Sequence, residues 1–134
     1  MSRFIMEFRV EYCDTDQMGT YSSARALEWF ERGRTEALRG QGTPYAEMEA
    51  KGFMLPVAHA EVDYQGRARY DDLLRMEIVI SMQGRARVRF DFAVTQAATG
   101  APVCSGHTLH AVTNPSGRPV RPPAWLTQAI GAPA

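Results

Sequence analysis

Residues 12–23 read Tyr12-Cys13-Asp14-Thr15-Asp16-Gln17-Met18-Gly19-Thr20-Tyr21-Ser22-Ser23, and Ala24-Arg25-Ala26-Leu27-Glu28-Trp29-Phe30-Glu31-Arg32-Gly33-Arg34-Thr35-Glu36-Ala37-Leu38-Arg39 follows directly. In the second part Ala26, Phe30, Gly33 and Ala37 recur at helical spacing. Leu27, Trp29 and Leu38 widen the apolar stripe, while Arg25, Glu28, Arg32 and Glu36 lie largely elsewhere. The spacing predicts a long helix with one buried face. A glycine inside a helix costs about 1 kcal/mol against alanine, and Gly33 is explained if the helix backbone comes close to a sheet at that point.

The start of this helix bears on chemistry. Ser22 and Ser23 are N-cap candidates, and Ala24-Arg25-Ala26 brings no acid to the positive end of the helix dipole. Free amides are therefore expected there. Asp14 and Asp16 arrive just upstream, and Gly19 permits a tight turn that could bring a carboxylate back toward those amides. A carboxylate beside an oxyanion-stabilising helix end is half of an acyl-transfer site. The alternative for Asp16 is a turn-forming aspartate that caps nearby amides.

Outward from this stretch the pattern is one of strands. Upstream, Phe8, Val10 and Tyr12 alternate with Glu7, Arg9 and Glu11, which reads as a half-buried strand. Downstream, Thr43 and Pro44 look like an N-cap and first helical residue of a short helix that Gly52 closes. In residues 55–64, Ala58, Ala60, Val62 and Tyr64 share one parity, and His59, Glu61 and Asp63 the other. Leu74, Met76, Ile78, Ile80 and Met82 form the apolar side of a third strand, and Gln83-Gly84 a turn. Ala86, Val88, Phe90, Phe92 and Val94 oppose Arg85, Arg87, Arg89 and Asp91 in the clearest strand, and residues 103–113 make the last one. A helix after the first strand and four further strands in hairpin-like succession give an α+β architecture, an antiparallel sheet of about five strands curled round one helix. Such a sheet leaves bare edges, so at least a homodimer, or a homotetramer built from it, is expected.

Several pieces, in order and spacing, carry a family resemblance. Tyr12-x-Asp14-Thr15-Asp16-x-x-Gly19, Trp29-Phe30-Glu31-Arg32-Gly33-Arg34-Thr35-Glu36, Leu55-Pro56-Val57, residues 68–74, and residues 116–120 with 123–126 together resemble the signature of the 4-hydroxybenzoyl-CoA thioesterase family. That resemblance implies a hot-dog fold over the whole chain and hydrolysis of an acyl-CoA thioester without metal or redox cofactor. It places Asp16 at the catalytic carboxylate, as nucleophile or as base for water, and the Ser23 amide where the helix end polarises the carbonyl. Gly19 and Ser22 would border the substrate. Of the arginine row, Arg85 and Arg87 are the candidates to hold CoA phosphates, the alternative being a solvated face. The chain departs from many relatives in having Ser22 and Ser23 where an aromatic and a histidine stand, and Ala26 in place of a tyrosine.

Composition narrows the remaining classes. Lys plus Arg equals Asp plus Glu at 15 each, so no global field gathers nucleic acid, and no apolar run suffices to span a membrane. The N-terminal Met-Ser-Arg-Phe-Ile-Met-Glu-Phe lacks a signal-type apolar core and only Cys13 and Cys104 occur, so a cytoplasmic, reduced protein is expected, with Cys13 a small buried core residue. His107 and His110 are three apart on a strand, on opposite faces, which defeats joint metal ligation, and His59 stands alone. No serine-hydrolase elbow, zinc-protease helix or phosphate loop is present. Two other readings are a non-catalytic acyl-thioester binder and a protein-interaction module that uses a sheet edge.

Overall fold

The structure, a computed structural model, describes residues 1–131. The strands are β1 (Ser2–Arg9), β2 (Val57–Tyr64), β3 (Leu73–Gln83), β4 (Arg87–Gln96) and β5 (Pro102–Ala111). The helices are α1 (Arg25–Gly40), α2 (Tyr45–Ala50) and α3 (Ala124–Ile130). All pairings are antiparallel, in the order β1-β3-β4-β5-β2. This is the expected α+β hot-dog arrangement, a five-stranded sheet holding one long helix.

Alternation decides which side of the sheet is dry. Leu74, Met76, Ile78 and Ile80 on β3 and Val88, Phe90, Phe92 and Val94 on β4 are buried beneath α1, whose Ala26, Trp29, Phe30, Gly33, Ala37 and Leu38 face them. Phe30 stacks on Phe92 with ring centroids 4.3 Å apart. Gly33 is where the helix comes closest: a Cβ there would press on Met76 and Ile78. Leu27 does not join the stripe and is 43% exposed.

Some elements differ from the sequence reading. β1 ends at Arg9, and Tyr12 sits in a single 3₁₀ turn, exposed against Tyr70, because Val10 pairs with Asp71 and Asp72 and the chain then bends away. Pro44, not Thr43, is the cap of α2. Arg85 and Ala86 lie in the β3–β4 turn rather than on the strand. Cys13 is exposed and only Cys104 is buried. The helix α3 follows Pro123, ends at Gly131 with positive φ, and buries Leu126 and Ile130.

One strand remains uncovered. α1 packs over β1, β3 and β4, whereas every residue of β2 except Val62 is exposed. No described helix is long and apolar enough to cross a membrane.

Candidate active site

The loop between β1 and α1 folds back on itself. Thr15 bridges Tyr21, the Ser22 amide donates to the Asp14 carbonyl (2.7 Å), and the Asp16 amide to the Thr20 carbonyl (3.0 Å). Gly19, at φ 77°, makes the reversal possible; a side chain there would be strained although the space is open. Asp16 and Ser23 therefore belong to adjoining arms of one small hairpin. The hairpin is anchored from outside by the Tyr21 amide and the Thr20 hydroxyl, both donating to the Ala68 carbonyl.

The two aspartates differ in environment. Asp14 is buried and its Oδ2 accepts the Glu11 amide (2.8 Å), a reciprocal capping arrangement that holds the 3₁₀ turn. Asp16 is exposed at the hairpin tip, and its Oδ1 accepts the Met18 amide (2.8 Å) in an Asx turn rather than reaching the helix start. Among the described residues its second carboxylate oxygen meets no donor.

The helix start also departs from expectation. α1 begins at Arg25 with Ala24 as its cap, and neither serine hydroxyl caps it. With that start Glu28 falls in the first turn, where it pairs with Arg25 at 2.7 Å, so an acid is present after all but is neutralised by its neighbour. The Arg25 and Ala26 amides bond back to the Ser22 and Ser23 carbonyls, whereas those of Ser23 and Ala24 donate to no acceptor among the described residues. Two free amides at the positive end of a 16-residue helix can polarise a carbonyl oxygen. The Tyr64 hydroxyl donates to the Ser23 carbonyl (2.8 Å), fixing this corner against the end of β2.

The arginine row is divided. Arg89 is committed to Asp91, with Nε and Nη2 at 3.0 Å from its carboxylate oxygens, whereas among the described residues Arg85 and Arg87 form no ion pair. Both lie at the Gln83–Arg87 end of the sheet, and Asp16 follows the opposite end, where Arg9 pairs with Leu73. At ~3.3 Å per residue β3 alone separates the two ends by about 30 Å.

The other candidates resolve into neighbours. Cys13 Sγ donates to Glu11 at 3.6 Å; its pKa is raised by desolvation first and then by the Asp14 and Glu11 charges, which makes it a poor nucleophile. His59 is not alone, since its ring lies 5.5 Å from that of His107, itself 3.6 Å from Glu61. His110 points to the other face, as its parity requires, and is buried: Nδ1 donates to the Leu55 carbonyl (2.9 Å) and Nε2 accepts from the Thr108 hydroxyl (2.8 Å). Burial first, and then the charge of Arg34, pushes its pKa down to about 4 against the Leu55 bond. The unfolded chain takes up this proton near pH 6.5 and the folded one does not, so stability present above that pH is lost as pH falls toward 4. We expect a loss of about 2 kcal/mol between pH ~7 and ~5, measured by urea unfolding, and a clearly shallower dependence in His110→Asn. A pH slope identical in the two proteins would exclude the assignment.

Comparison with known proteins places this geometry. Residues 10–130 match the thioesterase-like superfamily. A putative esterase of Aquifex aeolicus is 28% identical over 107 residues, covering 80% of this chain and 82% of that one. An acyl-CoA thioesterase of Haemophilus influenzae is 37% identical over 89 residues, covering 66% of this chain and 65% of that one, so this match spans a little under two thirds of the relative. Among solved structures, a 1,4-dihydroxy-2-naphthoyl-CoA thioesterase from Synechocystis superposes with a TM-score of 0.88 at 22% identity over 96% of this chain and 95% of that one, a likeness of fold. With its match running from just after β1 through α3, across the Asp16 hairpin and the helix start, the chain belongs to the thioesterase-like superfamily.

Proposed function

We propose that this chain is a thioesterase that hydrolyses an acyl-CoA to the free acid and CoA, of the 4-hydroxybenzoyl-CoA thioesterase-like type within its superfamily. The observation that carries the reading is the pair of unpartnered amides at Ser23 and Ala24 beside the hairpin that presents Asp16. The amides receive the thioester carbonyl oxygen, whose negative charge grows as the tetrahedral centre forms. Asp16, exposed and with one oxygen free of protein donors, attacks the carbonyl or takes a proton from the attacking water. Gly19 and Ser22 border the acyl carbon. The names of the Haemophilus and Synechocystis proteins support CoA thioesters as the substrate class.

The working unit is a homodimer, or a tetramer made from it. β2 is exposed on both faces and carries its free edge outward, and antiparallel pairing with a second β2 removes that edge. A twofold axis through the middle of β2 sets the Val57 end of one chain beside the Tyr64 end of the other. Tyr64 holds the Ser23 corner, and Val57 pairs with His110 at the same end of the sheet as Arg87. The residues that lie far apart in one chain thus meet across the dimer: Asp16 and Ser23 from one subunit, Arg85 and Arg87 from its partner, the latter to hold CoA phosphates. Thiol release from a panel of aliphatic and aromatic acyl-CoAs tests the reaction. Turnover of at least one member at kcat ~1 s⁻¹ or above is expected. Tight binding of the panel without release would favour the non-catalytic binder, to which the missing rings at Ser22, Ser23 and Ala26 would then point.

A further inference from the structure

A cavity of about 240 Å³ opens between α1, α2 and the sheet, walled by Leu38, Leu55, Phe90 and His110 and carrying Arg34 and Tyr45. Its volume is well beyond that of a single water and below the ~300–1,000 Å³ of a whole-ligand pocket, so it fits a tail rather than a complete thioester. Two of its polar groups, Arg34 and Tyr45, keep donor hydrogens that no acceptor among the described residues meets, and the Glu31 carboxylate stands exposed at its rim. Arg34 is half-buried, and among the described residues it forms no ion pair and no hydrogen bond. The Tyr45 oxygen accepts the Leu55 amide (3.0 Å), and its hydroxyl hydrogen has no protein acceptor. His110 has both ring nitrogens occupied and offers nothing further. Thr35 is likewise occupied, its hydroxyl donating to the Glu31 carbonyl.

A guanidinium taken partly out of water without an ion-pair or hydrogen-bond partner is an unfavourable arrangement for the empty protein. Desolvation is the largest influence on Arg34 and lowers its pKa, against the charges of Glu31 and Tyr45. Glu31 borders the cavity but is exposed, stays beyond ion-pair distance of Arg34, and is free to turn to solvent. What the cavity lacks is an acceptor that can meet the arginine fork and the phenol together while its carbon chain lies on leucine and phenylalanine.

Within one chain the cavity is remote from the helix start, since Arg34 is eleven positions beyond Ser23, ~16 Å at the helical rise. Across the twofold proposed on β2 the relation changes. The cavity sits at the Leu55–His110 end, and the Ser23 carbonyl is held by Tyr64 at the other end of β2, so the proposed antiparallel pairing would bring the cavity beside the partner subunit's helix start. From the unpaired guanidinium and phenol of this cavity, we infer that it is the acyl-tail pocket for the partner subunit's helix start, with Arg34 selecting acyl groups that end in a carboxylate. The inference rests on the thioesterase reading and deepens it by naming the substrate class.

The experiment compares glutaryl-CoA with hexanoyl-CoA, a neutral chain of similar length, on the full-length protein and on Arg34→Met and Arg34→Lys. In the unmodified protein kcat/KM for glutaryl-CoA should exceed that for hexanoyl-CoA at least about tenfold, the scale of a partly buried charge-assisted pair. The ratio should collapse to about one in Arg34→Met and be partly kept in Arg34→Lys, which retains the charge without the fork. A preference for hexanoyl-CoA, or a ratio that Arg34→Met leaves unaltered, overturns the inference while leaving hydrolysis standing. If neither thioester is cleaved, the acyl-CoA panel decides the hydrolytic reading separately, and calorimetric binding of the same two thioesters decides the pocket: an affinity advantage for glutaryl-CoA that disappears in Arg34→Met sustains it, and equal affinities overturn it.

Discussion

Asp16→Asn is expected to lower kcat on any thioester the unmodified protein cleaves by about 10² or more, with KM and melting temperature nearly unchanged. The substitution keeps size and an amide oxygen able to accept the Met18 amide, so the Asx turn and the Gly19 reversal survive. Only the anion is removed. Because the residue is exposed and makes no ion pair, the folded state loses little with it. Asp14→Ala is the matched control: it strips the buried acceptor of the Glu11 amide and should cost about 1–2 kcal/mol of stability while touching nothing at the helix start. Near-full turnover by Asp16→Asn would remove this residue from the chemistry and leave the free amides of Ser23 and Ala24 in search of another nucleophile.

How far the residues announced this arrangement depends on whether their signal is local. The stripe Ala26-Phe30-Gly33-Ala37 and the alternation through β3 and β4 are repeated several times over, and each repeat faces the same core, so they are legible. Tyr12 continues the parity of Phe8 and Val10, but parity cannot show that the chain bends after Arg9, because the cause lies sixty residues away in the pairing of Val10 with Asp72. The start of α1 was misplaced for a related reason. A serine is a good cap only if its φ and ψ are extended and its hydroxyl is aimed at the first turn, and here Ser22 is already paired with Asp14. Helix α3 did leave a local trace in Pro123, Leu126, Ile130 and Gly131, though one apolar pair four residues apart is weak beside a strand pattern.

The site divides in the same way. The Asp16 hairpin is a continuous stretch whose glycine and aspartates can be read in order. The Arg34 cavity is assembled from α1, α2, β4, β5 and the approach to β2, and no spacing rule links Arg34 to Tyr45 and His110. An arginine on the flank of an amphipathic helix reads as solvated, and only the fold shows that this one has lost water without gaining a partner.

Gly106→Ala is expected to destabilise the chain by about 3 kcal/mol, at the upper end of the range for overpacking, and to dissociate the proposed dimer. Gly106 lies on β5 opposite Val62 of β2, and a Cβ there would overlap the Glu61 carbonyl oxygen and come within 3.0 Å of the buried ring of Phe30. Neither obstacle yields cheaply: one is backbone, and the other is stacked on Phe92. The nearest relief is for β2 to move away from β5, its only strand neighbour among the described residues, which disturbs the edge proposed to receive the second subunit. Gly33→Ala supplies the contrast. Its Cβ would meet chiefly the flexible thioether end of Met76, and a helical alanine regains about 1 kcal/mol, so its net effect should be small. Urea unfolding and light scattering on the two variants separate the cases. A Gly106→Ala protein with the unmodified midpoint and mass would mean that β2 is not held as tightly as its register with β5 implies, and a dimer retained despite a lowered midpoint would move the interface off this edge.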